Sequence, residues 1–145
     1  MEIYSIGFTQ KTAEQFFTKL KSAGIRRLLD VRLNNVSQLA GFAKRGDLVF
    51  FLKEICGAGY LHEPLLAPTE EMLGGYRGKK LSWDEYEALF TALMTERRIE
   101  TQLDRKLFAV PTVLLCSEPT AERCHRRLVL EYLRDKWGDV TISHL

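Results

Sequence analysis

The chain has 145 residues, 46% hydrophobic and 28% charged, a composition that excludes a disordered or fibrous protein. Its formal net charge of +2 neither requires nor excludes a nucleic-acid partner. Three cysteines, an odd number, and no basic segment followed by an apolar one at residues 1–20 disfavour a secreted disulfide framework. No apolar run approaches the roughly 18 residues of a membrane span. We therefore expect a cytoplasmic protein that makes no membrane contact.

The first thirty residues predict a strand, a helix and a second strand. Residues 3–7 form a short β-rich run. Thr12 and Gln15 have the spacing of a capping box, which marks the start of a helix, and Gly24 marks its end. Residues 25–31 predict the second strand. The three elements make a βαβ unit, whose crossover is almost always right-handed.

The middle of the chain predicts shorter elements. Residues 34–46 are polar and indicate a long loop, and residues 47–56 indicate a helix. Residues 60–62 predict a third strand. Residues 69–73 predict a short helix that ends before Gly74 and Gly75, which we assign to a solvated turn.

The second half of the chain predicts the longest helix and the most apolar strand. Ser82 and Glu85 form another capping box, and the helix it starts extends to about residue 99 or 103. Residues 110–116 are largely apolar, as in a central parallel strand that is buried on both faces. Residues 120–137 predict a helix and residues 140–144 a last strand.

This alternation predicts one α/β domain over residues 1–145, with a mostly parallel sheet of about five strands. Ligands of such sheets bind outside the carboxyl ends of the strands. Residues whose side chains can bind a ligand or take part in catalysis follow the predicted strand ends. The candidates for substrate binding are Asp30, Arg32, Asn34, Lys44, His62 and Arg126. The candidates for catalysis are Cys116, Glu118, Cys124 and His125.

The segment from Cys116 to Arg126 favours thiol chemistry. A thiol at a strand end, close to a helix N-terminus and beside His and Arg, has physical reasons for a lowered pKa. Such a cysteine is a candidate nucleophile, with Glu118 or His125 as acid or base. The alternative is that Cys116 and Cys124 are small buried hydrophobic residues that only pack.

The remaining candidates have two interpretations each. Arg32 suits two-point binding of a phosphate or carboxylate, and Asp30 suits a ribose hydroxyl or the orientation of Arg32. The alternative for this pair is a structural ion pair at the sheet edge. His62 is either a catalytic group or a histidine satisfied by its neighbours at the strand end.

The sequence predicts no cofactor and no metal ion. It has neither a Gly-x-Gly-x-x-Gly motif nor a Gly-Lys-Ser/Thr loop. The cysteine spacing lacks the paired Cys-x2-Cys form of a structural zinc site. If Cys124 and His125 both lie on a helix, their side chains point about 100° apart.

Charge at the predicted sheet edge favours an anionic ligand, either a small molecule or a nucleic acid. Six cationic residues face four acidic ones there: Arg32, Lys44, Arg45, Arg123, Arg126 and Arg127 against Asp30, Glu63, Glu118 and Glu122. The interpretations are an enzyme for hydrolysis or group transfer on a phosphorylated substrate, a non-catalytic nucleotide or nucleic-acid binding module, and a thiol redox protein. The oligomeric state is not predicted.

Four segments resemble the family catalogued as domain of unknown function 488. They are residues 4–9 (Tyr-Ser-Ile-Gly-Phe-Thr), 29–32 (Leu-Asp-Val-Arg), 60–62 (Tyr-Leu-His) and 115–126, with its Cys-x-Glu…Cys-His-Arg pattern. The resemblance implies a Rossmann-like three-layer domain with a site built from these residues, and no established reaction. Two positions depart from the family: Phe8 replaces a usual His, and Leu66-Ala67-Pro68 replaces a common Leu-Gly-Gly.

Overall fold

A computed structural model describes residues 1–35 and 41–145. Residues 36–40 of the predicted loop at 34–46 lie outside the described residues. Five strands form one sheet: β1 (Glu2–Gly7), β2 (Arg27–Asp30), β3 (Gly59–His62), β4 (Thr112–Cys116) and β5 (Thr141–His144). Their order is β3-β2-β4-β1-β5 and every pairing is parallel, as predicted. β4 is buried along its whole length, as expected from its apolar sequence.

Helices cover both faces of the sheet, which gives the three layers of a Rossmann-like fold. They are α1 (Ala13–Ser22), α2 (Arg45–Phe51), α3 (Glu70–Arg77), α4 (Trp83–Arg97), α5 (Ile99–Gln102) and α6 (His125–Trp137). A π-helical turn, Leu52–Cys56, extends α2, and 3-10 turns cover Gly41–Ala43, Pro64–Leu66 and Arg105–Phe108. One core cluster includes Phe16 and Leu20 of α1, and the other includes Phe90 of α4 and Leu133 of α6.

Both predicted capping boxes are present. The Thr12 and Ser82 hydroxyls accept the backbone N–H of Gln15 and Glu85, whose side chains accept the N–H of the capping residue. Gly24 follows α1 with a φ of +70°, the left-handed conformation expected of a glycine that ends a helix. These local signals depend on neighbours in sequence alone, so the sequence predicts them well.

Three predicted helix limits are wrong. Gly74 and Gly75 lie inside α3, where the side chain of Leu81 packs over Gly75. The long helix ends at Arg97, because its C-cap residue, Arg98, has a φ of 52°. The final helix starts at His125, five residues later than predicted, and Cys124 is its extended N-cap residue with φ −140° and ψ 140°. The last correction decides the geometry of the site.

Across residues 1–35 and 41–145, none of the helices combines the length and the apolar character needed to cross a membrane.

Candidate functional site

A cavity of about 930 Å³ lies at the carboxyl ends of β1, β2 and β4. Residues that follow these strands line it, together with the end of α3 and the first turns of α4 and α6. Its volume falls in the range of small-molecule sites, about 300–1,000 Å³. The carboxyl edge of the sheet, where the sequence predicts ligand binding, therefore contains a concave site.

Cys116 and His125 lie in contact on the wall of this cavity. The Nε2 atom of His125 lies 2.8 Å from the carbonyl oxygen of Val31. A carbonyl oxygen only accepts, so Nε2 must carry the hydrogen, and in the neutral ring Nδ1 then presents a lone pair. Nδ1 lies 3.4 Å from the sulfur of Cys116, which also lies 3.9 Å from Nε2, so the sulfur sits beside the ring rather than along the Nδ1 lone pair. The backbone carbonyl thus fixes the tautomer that leaves Nδ1 as the basic nitrogen, next to one thiol.

Cys124 brings a second thiol to the same place. Because this residue is extended and precedes α6, its side chain is not rotated by a helical step from that of His125. The sulfurs of Cys116 and Cys124 and the ring nitrogen of His125 all lie within 4.8 Å of one another, and all three residues are buried. The predicted divergence of Cys124 and His125 is therefore wrong.

The two thiols differ in their acidity. Burial alone would raise the pKa of Cys116, but the adjacent Cys124 thiol, the charge of Arg126 and the backbone amides of Ser117 and Glu118 together lower it. Burial, followed by the neighbouring Cys116, raises the pKa of Cys124 well above its ordinary value. Cys116 is therefore the thiol that ionises first.

Arg126 lies next to the thiol cluster, the group formed by Cys116, Cys124 and His125, and stabilises the loop that leads into it. Its side chain is 1% exposed, and its Nε atom donates to the hydroxyl of Ser5 at 3.1 Å. Nη1 donates to the carbonyl oxygen of Glu118 at 2.7 Å and to the sulfur of Cys124 at 3.5 Å. The guanidinium thus holds the 117–124 loop against the sheet and places its charge next to the thiols.

Gly7 makes room for this loop at the end of β1. A Cβ atom on Gly7 would lie 1.5 Å from the carbonyl oxygen of Glu118, the same oxygen that Arg126 binds. Real Cβ atoms do not approach backbone so closely, so only glycine permits this contact between β1 and the loop.

Asp30 and Arg32 form a closed ion pair behind the cavity. The Nε and Nη2 atoms of Arg32 donate to the two carboxylate oxygens of Asp30 at 2.9 and 2.8 Å. The hydroxyl of Tyr60 donates to Asp30 at 2.6 Å, and Nη2 of Arg32 also donates to the carbonyl oxygen of Ala43. Asp30 is fully buried and Arg32 is 4% exposed. This arrangement matches the structural interpretation of the pair more closely than the ligand-binding one.

The structure brings six of the ten candidate residues to the cavity and leaves four outside its lining. The six are Arg32, Asn34, Cys116, Glu118, Cys124 and His125, and the four are Asp30, Lys44, His62 and Arg126. His62 binds the carbonyl oxygen of Arg32 through Nε2 at 2.8 Å, and Lys44 is the N-cap residue of α2.

An aromatic wall faces the thiol cluster, and the sequence does not predict it. Tyr76, Trp83 and Tyr86 line the cavity from α3 and α4, and the Trp83 and Tyr86 rings stack with centroids 5.4 Å apart. The spacing of Tyr86 indicates only a core position, and Tyr76 falls in the region assigned to a turn. The one local signal is the cluster of three aromatic residues on either side of a capping box.

Two exposed arginines stand at the cavity, Arg77 at the end of α3 and Arg123 just before α6. Neither makes an ion pair with any residue in the two described ranges. By contrast, Arg127 pairs with Glu131 at 3.2 Å. The cations available to an anionic ligand are therefore Arg77 and Arg123, rather than the buried Arg32 and Arg126.

Comparison with known proteins places this chain in a family. Residues 12–133 match the family described as domain of unknown function DUF488. The chain belongs to that family. The match covers β2, β3 and β4 and most of α6, so this DUF488 domain contributes Cys116, Cys124 and His125 from within the matched range. No curated protein and no solved structure matches the chain.

Proposed function

We propose that this DUF488 domain is an enzyme that hydrolyses, or transfers a group from, a phosphorylated substrate that carries a planar ring, such as a nucleotide. One observation carries the proposal: the sulfur of Cys116 and Nδ1 of His125 lie 3.4 Å apart at the wall of a cavity of about 930 Å³. A nucleophile, a base within reach and a third group that orients the base are the recurrent parts of covalent catalysis.

In the proposed reaction, Cys116 gives its proton to Nδ1 of His125 and the sulfur attacks phosphorus. A sulfur–phosphorus bond forms as the bond from phosphorus to the leaving oxygen breaks. The electron pair of that bond goes to the leaving oxygen, which takes the proton from His125. Water, or an acceptor hydroxyl in group transfer, then attacks phosphorus and releases Cys116. Glu118, at the exposed mouth of the cavity, is the candidate base for this second step.

Positive potential favours an anionic group next to Cys116. The N-terminus of α6 lies at the cluster, and its N-cap residue, Cys124, makes no capping hydrogen bond through its side chain. Backbone N–H groups at a helix N-terminus and the helix dipole both favour a phosphate. Arg77 and Arg123 add two cations at the cavity. A phosphate held there lies beside the nucleophile.

The aromatic wall supports a ring in the substrate. Stacking of a base on an aromatic side chain contributes about 1–3 kcal/mol per base. Trp83 is half-buried, with Tyr86 stacked on its ring and the Arg127 guanidinium over the ring at 6.0 Å, so a base that stacks on Trp83 would take the place of Arg127. The same wall also suits a protein that binds nucleotides or single-stranded nucleic acid without catalysing a reaction. The experiment below distinguishes the enzyme from such a binding module.

The test is a panel of nucleoside phosphates, ribose 5-phosphate and short single-stranded oligonucleotides, incubated with the protein after treatment with a chelator and a reductant. The account predicts product formation, with a phosphorus adduct on Cys116 found by mass spectrometry after acid quench. Cys116→Ser should abolish product formation, and His125→Asn should lower it by about 100- to 10,000-fold. Cys56→Ser is the matched control, because Cys56 lies on the π-helical turn outside the cavity.

Two results would contradict the proposal. Equal turnover by wild type and Cys116→Ser would remove Cys116 from the reaction. Binding of a nucleotide or oligonucleotide without product or adduct would identify the domain as a binding module instead.

A further inference from the structure

We propose that Cys116, Cys124 and His125 also form a binding site for a thiophilic divalent cation such as Zn²⁺, with the fourth coordination position open to the cavity. The three donor atoms already lie within 4.8 Å of one another. Zinc bonds of about 2.3 Å to sulfur and about 2.0–2.1 Å to nitrogen place tetrahedral donors about 3.5–3.8 Å apart. The distance of 3.4 Å from Cys116 Sγ to His125 Nδ1 is close to this range, and a turn of the ring, whose Nε2 is 3.9 Å from the same sulfur, would aim the Nδ1 lone pair at a shared ion.

The surroundings of the donors support a metal site independently of these distances. A histidine that binds a metal through one ring nitrogen commonly donates its other N–H to a backbone carbonyl or a carboxylate. His125 does so through Nε2 to Val31, which leaves Nδ1 as the ring nitrogen free to bind a metal. Nη1 of Arg126 donates to the sulfur of Cys124, and such a contact stabilises a thiolate ligand.

Charge and protons balance in this site. Binding of the cation displaces one proton from each thiol to solvent, so Zn²⁺ with two thiolates and a neutral imidazole has no net charge. A neutral centre is compatible with burial beside Arg126, whose side chain is 1% exposed. Because the three donors line the cavity, water or a ligand has access to the remaining position.

The cation site does not rest on the proposed reaction, but it has a consequence for it. A metal-bound sulfur of Cys116 no longer has its lone pair free to attack phosphorus. Bound Zn²⁺ therefore suppresses nucleophilic attack, and a chelator restores it. Cys124 is needed for the cation but is not the nucleophile, so Cys124→Ser, which lacks the thiol beside Cys116, should react more slowly but without inhibition by Zn²⁺, which allows the two proposals to be separated.

The first test uses the wild-type protein alone. Protein freed of metal by a chelator is titrated with Zn²⁺ against a chromophoric competitor, and with Co²⁺ followed by absorption. We expect one ion per chain, a thiolate-to-cobalt charge-transfer band, and protection of Cys116 and Cys124, but not Cys56, from alkylation. Absence of stoichiometric Zn²⁺ binding, or equal alkylation of all three cysteines with and without Zn²⁺, would overturn the site.

The second test uses matched variants checked for folding by circular dichroism. Cys124→Ser should weaken Zn²⁺ binding by at least about 100-fold, since loss of even an outer partner of a metal ligand commonly costs about 10- to 100-fold. Cys56→Ser should bind Zn²⁺ as wild type does. Equal affinity of all three proteins would overturn the site.

The outcomes for the cation and for the reaction are distinguishable. If Cys124→Ser turns over substrate but escapes inhibition by Zn²⁺, both proposals hold. If Zn²⁺ binds to wild type and no substrate is turned over, the cation site stands and the proposed reaction fails. If substrate is turned over but Zn²⁺ neither binds nor inhibits, the reaction stands and the cation site fails.

Discussion

His125 donates its Nε2–H to the carbonyl oxygen of Val31 at 2.8 Å, and its Nδ1, which that bond leaves without a hydrogen, lies 3.4 Å from the sulfur of Cys116. The carbonyl belongs to the residue that follows β2, the thiol ends β4, and the imidazole begins α6. One backbone acceptor thus fixes the tautomer and the orientation of the ring in the cavity. Both proposals depend on this relationship.

Gly7→Ala tests the contact that holds the 117–124 loop. The new Cβ atom would lie 1.5 Å from the carbonyl oxygen of Glu118, so β1 or the loop must shift and the bond to Arg126 is disturbed. We expect the free energy of unfolding to fall by at least about 1–3 kcal/mol, the usual cost of overpacking. Urea denaturation measures it.

Gly74→Ala is the control for that substitution. Gly74 lies in α3 and nothing lies within 4 Å of its ideal Cβ position. Alanine in place of a helical glycine should stabilise the protein by about 0.5–1 kcal/mol. Similar destabilisation by both substitutions would contradict the account of Gly7.

Asp30→Asn tests whether the Asp30–Arg32 pair is structural. The substitution leaves a buried guanidinium without its counter-charge, and breaking a buried pair in this way costs about 3–5 kcal/mol. The control is Asp139→Asn, because Asp139 pairs with Arg105 in solvent, where such pairs contribute about 0–1 kcal/mol. Chemical denaturation should separate the two variants clearly. If Asp30→Asn lowers the free energy of unfolding by less than about 1 kcal/mol, the structural interpretation is wrong and the ligand-binding one is favoured.

Trp83→Ala tests the aromatic wall. If a base stacks on Trp83, its loss should weaken binding of nucleoside monophosphates by about 5- to 150-fold, which corresponds to about 1–3 kcal/mol. Calorimetric titration measures this change, with ribose 5-phosphate as the ligand that lacks a ring. Leu89→Ala is the control, because Leu89 is an exposed residue of the same helix. Unchanged nucleotide affinity in Trp83→Ala would exclude a stacking role.

From the surroundings of His144 we predict that the protein loses stability as the pH falls. In the tautomer with its hydrogen on Nε2, Nδ1 accepts the hydroxyl hydrogen of Ser5, whose oxygen accepts from Arg126, and protonation of Nδ1 removes that acceptor. Partial removal of the ring from water, and then the charges of Arg126 and Arg127, lower its pKa, while Glu131 opposes them. The folded state therefore binds fewer protons than the unfolded state, so this stabilisation is complete above about pH 6.5 and is lost below it.

The measurement compares wild type with His144→Gln. Between about pH 7.5 and pH 5.5 the thermal midpoint of wild type should fall more than that of the variant. Parallel decreases in the two proteins would show that His144 does not contribute to the pH dependence.

Local signals in the sequence predict much of the fold. The capping boxes at Thr12 and Ser82 are satisfied by residues three positions away, and the apolar sequence of β4 reflects its burial at the centre of the sheet. Gly74 and Gly75 predict a turn because glycine disfavours helices, yet both lie in α3, whose first turn the Thr69 hydroxyl caps and where Leu81 packs over Gly75. The preference of single residues does not include such side-chain contacts, even between positions close in the chain.

The candidate site is predictable in its location and not in its pairings. Strand ends predict that Cys116 and His125 lie at one edge, because parallel strands end together. The sequence does not show that Arg126 turns inward to Ser5 and the loop, since its partners lie far away in the chain. It also gives no sign that Cys124 is extended, because cysteine is not a typical helix-capping residue.

The most direct test of the Cys116–His125 pair is the rate of alkylation of each cysteine, resolved by peptide mass spectrometry, in reduced protein freed of metal. Cys56 is the most exposed of the three, and burial raises its pKa. The account predicts that Cys116, although only 5% exposed, is alkylated first, and that His125→Asn slows it without changing the rate at Cys56. Alkylation of Cys56 first, or a Cys116 rate that is the same in His125→Asn, would contradict the account.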